Sequence, residues 1–312
     1  MEEVDMGIPL FQYISENVTP EGTLPGNFSL PDEGQGNGLR FADGALDGIY
    51  IYHTQHAPLS PDELSRLGGL IALAASGRQS EAEEGFRTFT KEHHAITIID
   101  DLQGYIADHQ ADLNPNEIYE FAVHMALETD DRECVKIGLS LLELLNIYGE
   151  TELTEAVRTL GLSDEFTIFS VFLMRKWPDP EREILSLARK VRGWGRIHCI
   201  YFLEADLPET KEWLLINGVD NDVVPAYSAW EVYEKAEIDE FLKRNCFSPE
   251  EVHALLALTD ALMDEGPVAG VSRMDSPKAF LERIITIAEA ADALSEDDKD
   301  ILERIKNGEI QE

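Results

Sequence analysis

The chain has 312 residues, 44% of them apolar, and its 61 Asp and Glu against 25 Lys and Arg give a formal charge of −36. That composition supports a packed interior and excludes global disorder, and the length allows one large domain or two smaller ones. The charge argues against a nucleic-acid partner, because affinity for a phosphate backbone comes from Lys and Arg displacing counterions, and against an anionic membrane surface for the same reason.

Residues 1–38 hold six Gly and four Pro, too many for regular structure. They read as an irregular arm that packs partly onto the body through Ile8, Leu10, Phe11, Tyr13 and Ile14. Over Leu39–His53, the pairs Asp43-Gly44 and Asp47-Gly48 flank a short link, and Ile49-Tyr50-Ile51-Tyr52 follows. This predicts a short β-hairpin. Arm and hairpin together occupy residues 1–59, and a helical-repeat domain is expected over 60–312.

From Ser60 onward prolines punctuate a helical pattern. Ser60-Pro61-Asp62-Glu63, Asn114-Pro115-Asn116-Glu117 and Ser248-Pro249-Glu250-Glu251 share one layout: a capping side chain, Pro at the first helical position, then Glu near the positive end of the helix dipole. Asp179-Pro180, Leu207-Pro208 and Ser276-Pro277 are weaker versions. Between these starts apolar residues recur every three to four positions, as in Leu64, Leu67, Ile71 and Ala74, or Ile137, Leu141, Leu144 and Leu145. The expected fold class is therefore all-α.

A loose repeat runs through the middle of the chain. Asp131, Asp164, Gly195 and Asp222 each open a helix of mixed small and apolar residues, at spacings of 33, 31 and 27. A period near 30 built of antiparallel helix pairs marks an α-solenoid, in which stacking supplies the core that no single pair can bury. A compact irregular all-α bundle is the other arrangement this pattern allows. The Asp131 block, Asp-x3-Val135-Lys136-x-Gly138, resembles the helix motif of HEAT and armadillo repeats, and the likeness covers roughly residues 95–265. Gly193-Trp194-Gly195-Arg196-Ile197-His198 and Trp213–Val223 are similar to a group of uncharacterised bacterial helical-repeat proteins. These resemblances imply a stacked helical fold and bring no established activity.

The three cysteines, Cys134, Cys199 and Cys246, are far apart and odd in number. They are expected to be buried free thiols rather than disulfides or a metal pair. The first basic residue is Arg40, and no apolar run approaches the ~18 residues a bilayer span needs. A cytoplasmic protein is expected, with no membrane partner.

No phosphate loop, dinucleotide fingerprint or serine-nucleophile motif is present. His53 and His56, with His93 and His94 later in the chain, are the nearest approach to metal ligands, and their spacing is not specific. No metal and no cofactor are expected. One electrostatic anomaly stands out. Residues 175–196 hold seven basic and three acidic residues, +4 against −40 for the rest. Trp177 and Trp194 bracket this island. Arg192, Trp194 and Arg196 form its candidate anion-binding group, since guanidinium forks and an indole face suit carboxylate or phosphate. The alternative is that the island is neutralised by acidic neighbours. The expected function is a non-catalytic interaction scaffold whose acidic surface takes a protein or peptide partner, most naturally a basic one. An enzyme or small-molecule site near Trp194 and Arg196 or near His53 and His56 is the alternative.

Overall fold

A computed structural model describes residues 7–31, 41–54, 56–266 and 268–308. Among these the chain is all-helical, and its contacts divide it into two compact units, Met1–Gly195 and Arg196–Glu312.

The first unit contains α1 (Leu10–Asn17), α2 (Ala45–His53), α3 (Pro61–Ala75), α4 (Gln79–Phe89), α5 (Ala95–His109), α6 (Pro115–Leu127), α7 (Arg132–Leu142), α8 (Thr151–Leu160), α9 (Asp164–Met174), α10 (Pro180–Ala188) and the start of α11 (Gly193–Phe202). Helices adjacent in sequence pair, as α3 with α4, α6 with α7 and α8 with α9. Alternate helices also touch, α3 with α5, α5 with α7 and α7 with α9. The centre is α7, where every residue from Cys134 to Leu142 is buried. Its neighbours are α4, α5, α6 and α9, so it has no solvent face to keep polar.

The second unit contains most of α11, then α12 (Pro208–Asn217), α13 (Ala226–Lys235), α14 (Ile238–Phe241), α15 (Pro249–Met263), a single 3-10 turn at Val271–Arg273, α16 (Pro277–Glu289) and α17 (Glu296–Asn307). Here α15 plays the central part and packs against α12, α13, α16 and α17.

Local chemistry explains where helices begin. Ser60 and Ser248 close reciprocal capping boxes with Glu63 and Glu251, and the Asn114 side chain accepts from the Asn116 amide. Pro180, Pro208 and Pro277 open α10, α12 and α16. A third capping box, Ser295 with Asp298, starts α17.

The arm and the hairpin need correction. Residues 10–17 are helical, with Leu10 and Ile14 buried one turn apart; α1 lies against α6 and α8. Leu39 and Arg40 of the expected hairpin lie outside the described residues. The remainder forms no strand, and Ala45–His53 is α2. Gly44 takes a left-handed conformation at the helix start, φ 75°, as Asp-Gly pairs readily allow. It begins a helix instead of turning a hairpin. The second pair lies inside α2, where Asp47 is buried against a lysine of α7. That tertiary pairing overrides the strand preference of Ile49-Tyr50-Ile51-Tyr52. Cys246 also departs from expectation: it is exposed in the link before α15, while Cys134 and Cys199 are buried thiols.

The tightest helix contact depends on Gly138 of α7. A Cβ there would fall on the backbone nitrogen of Ala126 and 2.9 Å from the carbonyl oxygen of Ala122, both in α6. Backbone cannot yield as a side-chain tip can. Gly138→Ala is expected to cost about 1–3 kcal/mol by forcing the two helices apart, read as a lowered urea midpoint.

Candidate functional site

The basic island is neutralised only in part where it stands. Lys176 pairs with Glu143 and Arg182 with Asp179, each at 2.9 Å, while the island's own Glu183 is taken by Arg158 from outside it at 2.7 Å. Arg192 is exposed, whereas Trp194 and Arg196 are buried, at 7% and 4% exposure. Gly193, at φ 56°, turns the chain into α11. The amides of Trp194 and Gly195, free donors at that helix end, bond to the carboxylate of Asp164. In the second unit, Arg196 donates to the carbonyl of Asp220 at 2.7 Å and lies over the Trp213 ring. The carboxylate that a helix end with an arginine requires is thus supplied by the protein itself.

The histidines do not assemble a metal centre. His56 faces the Tyr50 carbonyl at 3.1 Å, His93 stands 3.4 Å from Glu63, and His94 stands 3.8 Å from Glu133. The Tyr50 ring contacts the rings of both His56 and His94. Among the described residues no group of three or more His, Cys, Asp or Glu is arranged to hold a metal ion.

The strongest electrostatic feature is buried in the first unit. The Lys136 ammonium, 2% exposed, lies 2.8 Å from Asp47, 3.0 Å from Glu133 and 2.6 Å from Glu165. One cation thereby joins α2, α7 and α9. Glu133 also accepts from the first amide of α5, Ala95, at 2.6 Å, and Glu165 accepts from the Gly44 amide at 3.0 Å. Arg132 adds a second cation, 2.7 Å from Asp43. Burial alone would push the Lys136 pKa down, but the three carboxylates hold it well above its ordinary value. A lysine locked in its charged form cannot serve as a nucleophile. The cluster's chemistry is therefore cohesive.

Three carboxyls around one ammonium leave a local excess of negative charge. Burial pushes Asp47 up to about 7 against the pull of Lys136, and Glu165 and Glu133 push it the same way. Neither Asp47 oxygen accepts a well-directed hydrogen bond. Burial also opposes ionisation of Glu133, yet Lys136, His94 and the Ala95 amide hold it down to about 2. Asp164 is raised to about 7, first by burial and then by Asp43 and Glu165.

The second unit carries an open cleft of about 900 Å³ between the end of α13, α14 and the start of α16. Glu237, left-handed at φ 51°, breaks α13 from α14 and lets that short helix form one wall. The rings of Trp230, Tyr233 and Phe280 form a contiguous cluster in the lining, with centroids 5.3 and 5.7 Å apart. Tyr233 donates to Asp239 at 2.7 Å. Its pKa is raised by burial first, then by Asp239, Asp275 and Glu234, so three carboxylates bear on one phenol.

Neither the cluster nor the cleft follows from motif or spacing in the sequence. Lys136 offered a signal as the one cation within the apolar run Cys134–Leu142. The cleft offered Trp230 and Tyr233 three apart beside acidic residues. No family model matches the chain, and no curated protein or solved structure matches it.

The pH consequence of the cluster has a definite sign. Between the ordinary Asp value of 3.8 and about 7, folded Asp47 holds its proton while the unfolded chain releases it. The folded state binds more protons there, so stability falls as pH rises through that window. In the Asp47→Asn variant this contribution is gone. The unfolding free energy of wild type relative to the variant is expected to fall from about pH 5 to pH 7, by up to about 1.4 kcal/mol per pH unit. A difference independent of pH would contradict the raised Asp47 value.

Proposed function

We propose that the protein is a non-catalytic interaction scaffold, a helical-repeat body of HEAT-like type whose acidic surface binds a basic segment of a protein partner. The observation that carries this reading is the acidic excess of the chain, which pairing within the fold does not remove. Arg87 is shared among Glu83, Asp130 and Asp131; Arg132, Lys136, Arg158 and Arg196 are likewise held in part-buried or buried contacts. With 25 basic residues against 61 acidic, the excess carboxylates are left to face water. Such a field attracts cations and speeds their encounter.

The contacts of α3 with α5, α5 with α7 and α7 with α9 support stacked repeats in the first unit. Stacked repeats offer extended surfaces and no chemistry of their own. No helix among the described residues is long and apolar enough to cross a membrane, and the buried free thiols fit a reducing, cytoplasmic setting.

The test is titration calorimetry with a short Lys/Arg-rich peptide and its Glu-substituted counterpart. The basic peptide is expected to bind, with affinity falling about tenfold or more between low and moderate salt as the field is screened, and the acidic one to give no signal. Equal binding of both peptides, or none of either at low salt, would overturn the reading.

A further inference from the structure

We infer that the cleft of the second unit is a recognition site for the cationic side chain of a peptide, Arg in the first instance. This rests on the reading of an acidic scaffold and deepens it to one place.

Three observations converge. The first is an internal occupant. The Arg273 guanidinium stands 4.8 Å over the Trp230 ring, within the cleft. Arg273 is exposed and has no carboxylate within ion-pair distance among the described residues. A guanidinium on an indole face is a favourable cation–π pair. The chain thus already seats a cation of the inferred kind against this wall.

The second is uncompensated charge of the matching sign. Glu234, Asp239 and Asp275 line the cleft, and among the described residues none has a cationic partner within ion-pair distance. Of the other cations in the lining, Lys243 pairs with Glu240, and Arg283 donates to the carbonyls of Leu242 and Arg244, just past α14. Without Arg273 the lining's five carboxylates, Glu234, Glu237, Asp239, Glu240 and Asp275, outnumber its two remaining cations, Lys243 and Arg283.

The third is the acceptor capacity of that wall. The Tyr233 hydroxyl spends its proton on Asp239, leaving its oxygen as an acceptor. A ligand with fixed donors around a flat cation matches an aromatic wall rimmed by carboxylates better than a compact ammonium does. Arg273 then acts as a resident competitor that an incoming arginine displaces.

Because Arg273, Asp239 and Asp275 are all exposed, they can be changed without disturbing the core. The probe is N-acetyl-Gly-Arg-Gly-amide, followed by ligand-observed NMR at moderate salt, with the Lys and Glu analogues beside it. Asp239→Asn with Asp275→Asn is expected to weaken Arg-probe binding about fivefold or more. Arg273→Gln is expected to tighten it. Asp108→Asn with Asp112→Asn, which removes the same charge from exposed positions of the first unit, should leave it within about twofold. If the longer Lys/Arg-rich peptide binds but the cleft substitutions have no more effect than the remote pair, the cleft is not the site and the scaffold reading stands. The cleft is likewise excluded if Arg273→Gln weakens binding of the Arg probe. If neither the longer peptide nor the Arg probe binds, both readings fall.

Discussion

A buried ammonium cannot stay charged without partners, and a buried carboxylate cannot stay charged without a cation. Lys136 with Glu133 and Glu165 meets both conditions, and Asp47 relieves the remaining excess of negative charge by holding its proton up to about pH 7. Because the carboxylates come from α2, α7 and α9, the requirement becomes a constraint on where three helices lie. It reaches α5 through the Ala95 amide and the turn before α2 through the Gly44 amide. Apolar packing around α7 supplies most of the driving force for burial. It is non-directional, whereas the ion cluster permits one register of these helices. We regard specificity of arrangement, rather than net stabilisation, as the cluster's contribution, since desolvation offsets much of the attraction.

The same economy of charge shapes the exterior. Several cations, Arg87, Lys136 and Arg158 among them, are held between elements. In the basic island, the one positive stretch of sequence, Lys176 meets Glu143, Arg182 meets Asp179, and Arg196 donates to the Asp220 carbonyl. The strongly negative surface follows from the 61 acidic against 25 basic residues, an excess that pairing inside the fold does not remove. The cleft of the second unit fits this pattern, with one arginine resting on an indole among carboxylates that have no cation of their own.

The sequence made some features plain and hid others for physical reasons. Helix starts were legible because capping is local: a Ser or Asn, a Pro and a Glu within four residues carry the whole signal. Helix α2 was not, since Ile49-Tyr50-Ile51-Tyr52 has a strand's local preference and the deciding interaction, Asp47 with Lys136, spans distant residues. Helix α1 was obscured by the prolines and glycines around it, although Leu10 and Ile14 had helical spacing. The basic island was legible as charge, but the partners of Lys176 and Arg196, Glu143 and Asp220, lie outside the island. The cleft was invisible because α13, the 3-10 turn and α16 bring its aromatic and acidic residues together only in three dimensions.

Removing the cation alone probes this account most directly. Lys136→Met keeps an unbranched side chain out to Cε and leaves Asp47, Glu133 and Glu165 without their ammonium. Breaking a buried pair in this way is expected to cost about 3–5 kcal/mol. Native-state hydrogen exchange would localise that loss. The account predicts that amides of α2, α7 and α9 lose protection while those of α15 in the second unit keep theirs. Wild-type protection in α2, α7 and α9 of the variant would contradict it.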